Sequence, residues 1–172
     1  MAGPNGRERP LVDLSSPGAS HPASLGVNGM AKARSSEPSV SETIPSDFAA
    51  GFEVQRRIIE AVERHGYDTE EIFALKIATE EALVNAIKHG NKLDKNKHVR
   101  IEALVTPDKI QIEIEDEGEG FDRSLVPNPL DEENIEKPSG RGILLIESYM
   151  TEVAWSAGGR CVRMTKRREP AA

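Results

Sequence analysis

The chain has 172 residues, a formal net charge of -7, one cysteine and 4% aromatic residues. That is enough chain for one domain with a real core, too acidic a balance for a nucleic-acid face, and too few cysteines for a disulfide framework or a thiolate metal cluster. No apolar run approaches a membrane span and the N-terminus lacks the apolar centre of a signal peptide, so a cytoplasmic protein with no membrane or direct nucleic-acid partner is expected.

Residues 1–39 are rich in Pro, Gly, Ser and Ala without a sustained period and are expected to form a disordered tail. Val40 to Pro45 fits a short edge strand that the proline closes. Ser46 is a plausible N-cap for a helix carrying Phe48, Phe52, Ile58, Ile59 and Val62, which His65-Gly66 ends. A second helix is expected from Asp68 or Thr69 to Gly90. After a polar turn, His98 to Thr106 and Lys109 to Asp116 alternate apolar and polar residues about Pro107-Asp108, the pattern of an antiparallel hairpin. Arg123 to Ser139, with its prolines and acids, breaks every pattern and reads as a long functional or mobile loop. A short apolar helix over Ile143 to Met150 follows, then strands at Thr151 to Ser156 and Arg160 to Thr165 joined by Gly158-Gly159. Helices and strands are grouped rather than strictly alternating. That order predicts an α+β, two-layer α/β sandwich: a mixed, mostly antiparallel sheet with helices on one face.

In the second helix, Glu81, Asn85 and His89 recur at four-residue steps and fall on one stripe. Ile72, Phe73, Leu75, Ile77, Ala82, Leu83, Val84, Ala86 and Ile87 cover both flanks, so most of the helix is expected to be buried. A carboxylate and an amide in such surroundings need partners, because leaving one unpaired costs about 1–3 kcal/mol. A metal with a phosphate would serve, and so would a purely structural hydrogen-bond network. Two glycine segments add to this. Asp116, at a strand end, can accept hydrogen bonds from an amino group, and Gly118 and Gly120 let the backbone turn and a flat ligand approach. Gly140-Arg141-Gly142 precedes a helix, where free N–H groups suit phosphates; Arg141 can reach a phosphate or stand in solvent.

Taken in order, Glu-x-x-x-Asn on a helix, Asp-x-Gly-x-Gly, a loop and Gly-x-Gly before a helix resemble the GHKL (Bergerat-type) ATP-binding domain. The resemblance covers about Val40 to Lys166 and implies an ATP-binding kinase domain over residues 40–167, with 168–172 as a tail. The run Glu81-Ala82-Leu83-Val84-Asn85-Ala86-Ile87-Lys88-His89-Gly90 is similar to the N-box of the anti-sigma-factor serine-protein kinases, and Gly142 to Val153 also looks like theirs. The resemblance implies ATP and Mg²⁺ as cofactors. Asn85 would be the magnesium ligand through its side-chain oxygen, and Glu81 the catalytic general base; Glu80, five residues from Asn85, is turned off the stripe. Asp116 would bind the adenine amino group, Gly118 and Gly120 would shape the adenine pocket, and Gly140 and Gly142 would close on the phosphates with residues 123–139 as a lid. Lys88 and His89 would approach the phosphates, His89 having a structural alternative.

The function so implied is a serine/threonine protein kinase and anti-sigma factor. Its partners would be a STAS-type anti-sigma-factor antagonist, which it phosphorylates, and a sigma factor, which it sequesters. A homodimer is also implied, and the apolar residues of the first strand and helix make them its candidate surface. The alternative is a nucleotide-binding partner-switch module with little or no kinase activity. A histidine kinase would need a phospho-accepting histidine on a dimerising helical hairpin, and His21 lies in a Pro/Ser/Gly segment unfit for one. The acidic, proline-containing lid with a single Gly-x-Gly departs from the family pattern.

Overall fold

In the computed structural model, which describes residues 37–126 and 141–168, the alternating runs become strands. These are β1 (Val40–Pro45), β2 (His98–Val105), β3 (Lys109–Asp116), β4 (Glu152–Ser156) and β5 (Cys161–Arg167). They form one sheet in the order β1-β2-β3-β5-β4, with every neighbouring pair antiparallel. The register puts Ile101 beside Ile114, and Ile114 beside Val162, so one face is apolar across the sheet. On the opposite face Arg100 pairs with Glu102 and Glu115, and Arg163 with Glu113. Such exposed pairs add little stability but keep that face polar.

Three helices cover the apolar face: α1 (Phe48–Arg64), α2 (Thr69–Val84) and α3 (Arg141–Tyr149). Helix α1 buries Val54, Ile58, Ala61 and Val62 at helical spacing. Helix α2 packs against both α1 and α3, which is why its apolar residues run round so much of it. The core rests on aliphatic residues such as Ile58, Leu75, Ile87, Ile112 and Ile146, all under 2% exposed. Burial of each contributes roughly 1.5–3 kcal/mol. Edge strand β1 turns Glu42 toward the helix layer, where Arg57 of α1 pairs with it. An inward charge on an edge strand discourages further strand pairing.

Three expectations are corrected. Asp47, not Ser46, caps α1: its carboxylate accepts the Ala50 N–H at 3.0 Å. The Ser46 hydroxyl is engaged instead with the Lys97 carbonyl (3.0 Å) and the Asn91 side chain (2.7 Å). Phe73 is not on a buried flank; it is 54% exposed and touches Tyr149 edge-on. The second helix does not continue as α-helix to Gly90. From Asn85 to Gly90 it is a π-turn, closed by the Asn91 N–H on the Ala86 carbonyl at 2.8 Å. Helix α2 starts within the expected Asp68–Thr69 step: Asp68 caps it, in a reciprocal box with Glu71, and Thr69 is its first residue. Phe52, on α1, is exposed. The expected tail up to Ser36, most of the long loop, Gly140 and the last four residues lie outside the described residues. Of that loop, Arg123 is held by two hydrogen bonds to Glu147 of α3 (3.0 and 2.8 Å).

Candidate active site

A cavity of about 490 Å³ opens where the end of α2, the π-turn, the end of β3, the β4–β5 turn and the start of α3 meet. Glu81, Asn85, Lys88 and His89 line it from the helix, Asp116 and Ile114 from β3, and Gly142 from α3. Val162, Trp155 and Phe121 supply an apolar wall. The two aromatic rings meet edge to face with centroids 4.9 Å apart. A pocket with apolar walls and a few convergent polar groups is the usual form of a small-molecule site.

At one end, α3 comes down on the stripe. A Cβ on Gly142 would stand 2.5 Å from a Glu81 carboxylate oxygen and 3.7 Å from the Asn85 side-chain oxygen. A side chain there would push the Glu81 carboxylate aside. The Asn85 Nδ2 is buried and has no hydrogen-bond partner among the described residues, and neither does the Trp155 indole N–H. Buried polar atoms are seldom left so, and both belong to residues that line the cavity.

At the other end, Asp116 is 8% exposed. Its N–H donates to the Arg160 carbonyl (3.0 Å) and one carboxylate oxygen accepts the Gly118 N–H (2.7 Å). Gly90 lies directly against this carboxylate: a Cβ there would be 2.3 Å from the Asp116 carboxyl carbon. Gly118 in turn abuts the Gly90 carbonyl, where a Cβ would come within 2.2 Å. Burial pushes the Asp116 carboxyl above its usual range, against the opposing pull of the Gly118 N–H and the Arg160 charge. The folded protein therefore holds that proton more tightly than the unfolded chain. This group's contribution to stability is greatest at acid pH and declines as pH rises from the ordinary aspartate value, about 3.9, through the raised one. Asp116→Asn is expected to remove that limb from a pH series of urea unfolding curves. Superimposable wild-type and variant profiles would refute the shift.

The structure thus gathers Glu81, Asn85, Lys88, His89, Asp116, Gly120 and Gly142 around one cavity. Glu80 is exposed and off it. Gly118 stands behind Asp116 rather than on the wall, and Arg141 is exposed at the head of α3, outside the lining. Gly140 is not among the described residues. The four-residue step holds from Glu81 to Asn85, whereas the wider i→i+5 turn follows Asn85 and leaves His89 exposed. Sequence reasoning missed Phe121, Trp155 and Arg160. Trp155, the one tryptophan of the chain, was the available signal. A wider depression, about 1160 Å³, lies beside Phe73 and Tyr149, and several of its polar groups already hold partners within the fold. Arg168 stacks over Tyr67 at 3.9 Å and donates to the Gly66 carbonyl, while Asp68 and Glu71 cap α2.

The sequence profile of the histidine kinase-like ATPase domain matches residues 45–166. The chain is 38% identical over 110 residues to serine-protein kinase RsbW of Bacillus subtilis (strain 168), covering 60% of this chain and 69% of that protein. It is 33% identical over 110 residues to serine-protein kinase RsbW of Listeria monocytogenes serovar 1/2a, covering 60% and 70%. With serine-protein kinase RsbW of Staphylococcus aureus (strain Newman) it shares 38% over 111 residues, again 60% and 70%.

Proposed function

Because the chain belongs to the histidine kinase-like ATPase domain family, among its serine-protein kinases, we propose that the cavity binds ATP and transfers its terminal phosphoryl group to a protein serine or threonine. One observation carries this reading: Glu81, Asn85 and the glycine head of α3 converge at one end of a cavity whose other end holds a buried aspartate.

In this reading Asp116 accepts the adenine amino group while Ile114, Val162 and Phe121 flank the base. Gly142 and Arg141 present the start of α3 to the phosphates, and Lys88 and His89 stand at their rim. Glu81 takes the proton of the attacking hydroxyl as its oxygen bonds to the γ-phosphorus and the bond to ADP breaks. Mg²⁺ is the implied metal. Among the described residues no cluster of three or more His, Cys, Asp or Glu could cage an ion. An amide oxygen from Asn85, with water and phosphate oxygens completing the shell, fits the habits of Mg²⁺. The unpartnered Asn85 amide is consistent with that role. When bound, Mg²⁺ would neutralise charge on the phosphates.

The protein substrate in this proposal is a STAS-type anti-sigma-factor antagonist, and the protein also sequesters a sigma factor in the cytoplasm. Likeness to the serine-protein kinases supports that part.

Calorimetry with ATP, with and without Mg²⁺, tests the site. The intact protein is expected to bind in a Mg²⁺-dependent manner, with a change in Trp155 emission. Asn85→Ala is expected to weaken that binding roughly ten-fold or more, as loss of the metal's protein ligand should. No binding by the wild-type protein would end the proposal.

A further inference from the structure

Asn91 follows the π-turn directly and is fully buried. Its side-chain N–H groups donate to the Ser46 hydroxyl (2.7 Å) and the His98 carbonyl (2.8 Å), and its oxygen accepts the Glu117 N–H (2.8 Å). The Glu117 carboxylate accepts the His98 N–H at 2.6 Å, so Asn91, His98 and Glu117 close a ring of hydrogen bonds. This ring joins two segments that the cavity needs in register. One is the π-turn ending in Gly90, whose α-carbon lies against the Asp116 carboxylate; the other is the Asp116-Glu117-Gly118 turn itself.

The backbone around Asn91 is unusual on both sides. Before it runs the i→i+5 turn; after it Lys92 and Leu93 both adopt left-handed conformations, at φ 56° and 59°. Non-glycine residues hold such conformations only where their surroundings over-determine them. The Asn91 side chain, with both N–H groups bonded and no exposure, anchors this stretch together with the Leu93 N–H on the Ile87 carbonyl (2.9 Å). A one-ångström displacement of a recognition group is enough to lose much of its effect.

We infer that Asn91 is a positioning residue for base recognition. Through the Glu117 N–H it sets Asp116 in register with the cavity, so that the site favours a purine bearing a 6-amino group over its 6-oxo counterpart. The inference rests on the nucleotide reading above. Ser46 is only the far end of the network: without its hydroxyl, Asn91 still holds Glu117 and His98.

The test compares ATP with inosine triphosphate by calorimetry on the full chain, for wild type, Asn91→Ala, Asn91→Ser and Ser46→Ala. Serine at 91 is the milder change, its hydroxyl too short for the Glu117 N–H, and it carries the test if the alanine variant does not fold. All variants are expected to melt lower than wild type. The ATP-to-inosine-triphosphate preference should fall about ten-fold in the Asn91 variants and persist in Ser46→Ala. A purely structural asparagine would lower stability and leave the preference intact, which would overturn the inference. If the wild type binds neither nucleotide, the nucleotide reading itself fails; if it binds both equally, Asp116 does not read the base and the inference falls with that assignment.

Discussion

Glu81→Ala is expected to lower phosphoryl transfer about 10²–10⁴-fold, the range over which a positioned general base contributes. ATP affinity should stay close to wild type. Among the described residues lining the cavity, Glu81 and Asp116 are the acids, and Asp116 lies at the far end beneath Gly90. Glu81 alone therefore stands where a hydroxyl proton could be taken, against the head of α3. The loss corresponds to roughly 3–5 kcal/mol of transition-state stabilisation. Radiolabel transfer to a purified serine-bearing STAS-type antagonist, the substrate proposed above, measures it, with Glu80→Ala as the control that should behave as wild type. Equal transfer by Glu81→Ala and wild type would remove the base. No transfer by either, with ATP still bound, would favour a partner-switch module over a kinase.

Gly90→Ala is expected to cost about 100-fold in ATP affinity, the penalty typical of an ångström-scale displacement. The added methyl group would stand 2.3 Å from the Asp116 carboxyl carbon and 2.5 Å from both its oxygens. A short carboxylate cannot swing away as a long side chain would. Asp116 is tied to the Gly118 N–H, and Gly118 cannot retreat because its own α-carbon abuts the Gly90 carbonyl. Overpacking of this kind also lowers stability by roughly 1–3 kcal/mol. Gly66→Ala separates the two effects. A Cβ there meets nothing within 4 Å, but the residue sits at φ +68°, so the change costs about 1–2 kcal/mol in backbone conformation and should leave ATP binding alone. Calorimetry and thermal melts on both variants decide it. ATP binding by Gly90→Ala at wild-type strength would show that Asp116 is not held by this contact.

Much of the fold was legible because its signals are local. The period-two runs of β2 and β3, the Asp68 cap and the Gly158-Gly159 turn each follow from neighbours in sequence. So did the Glu81–Asn85 step, because the Asn85 N–H at the end of α2 still bonds the Glu81 carbonyl before the wider turn takes over. What stayed hidden depended on distant partners. Ser46 and Asp47 were both able to cap α1, and Lys97 and Asn91, far along the chain, took the Ser46 hydroxyl. The π-turn has no residue signature of its own, and the buried Asn91 that follows it finds its partners at Ser46, His98 and Glu117, away from the helix. Phe121 and Trp155 became a wall only once β5 was seated between β3 and β4. Gly90 read as an ordinary helix end, yet its lack of a side chain serves a carboxylate 26 residues away.

The place of β5 bears on how the protein is made. It follows β4 in the chain but sits inside the sheet, hydrogen-bonded to β3 on one side and β4 on the other. During synthesis β1, β2 and β3 leave the ribosome first and can pair as a meander, but β3 must wait, one edge bare, until Cys161 to Arg167 has emerged. That bare edge carries Ile110, Ile112 and Ile114, the kind of strand that recruits stray partners. The nascent chain is thus most vulnerable between the emergence of β3 and that of β5, and Val162 reaches the cavity wall only when that interval closes.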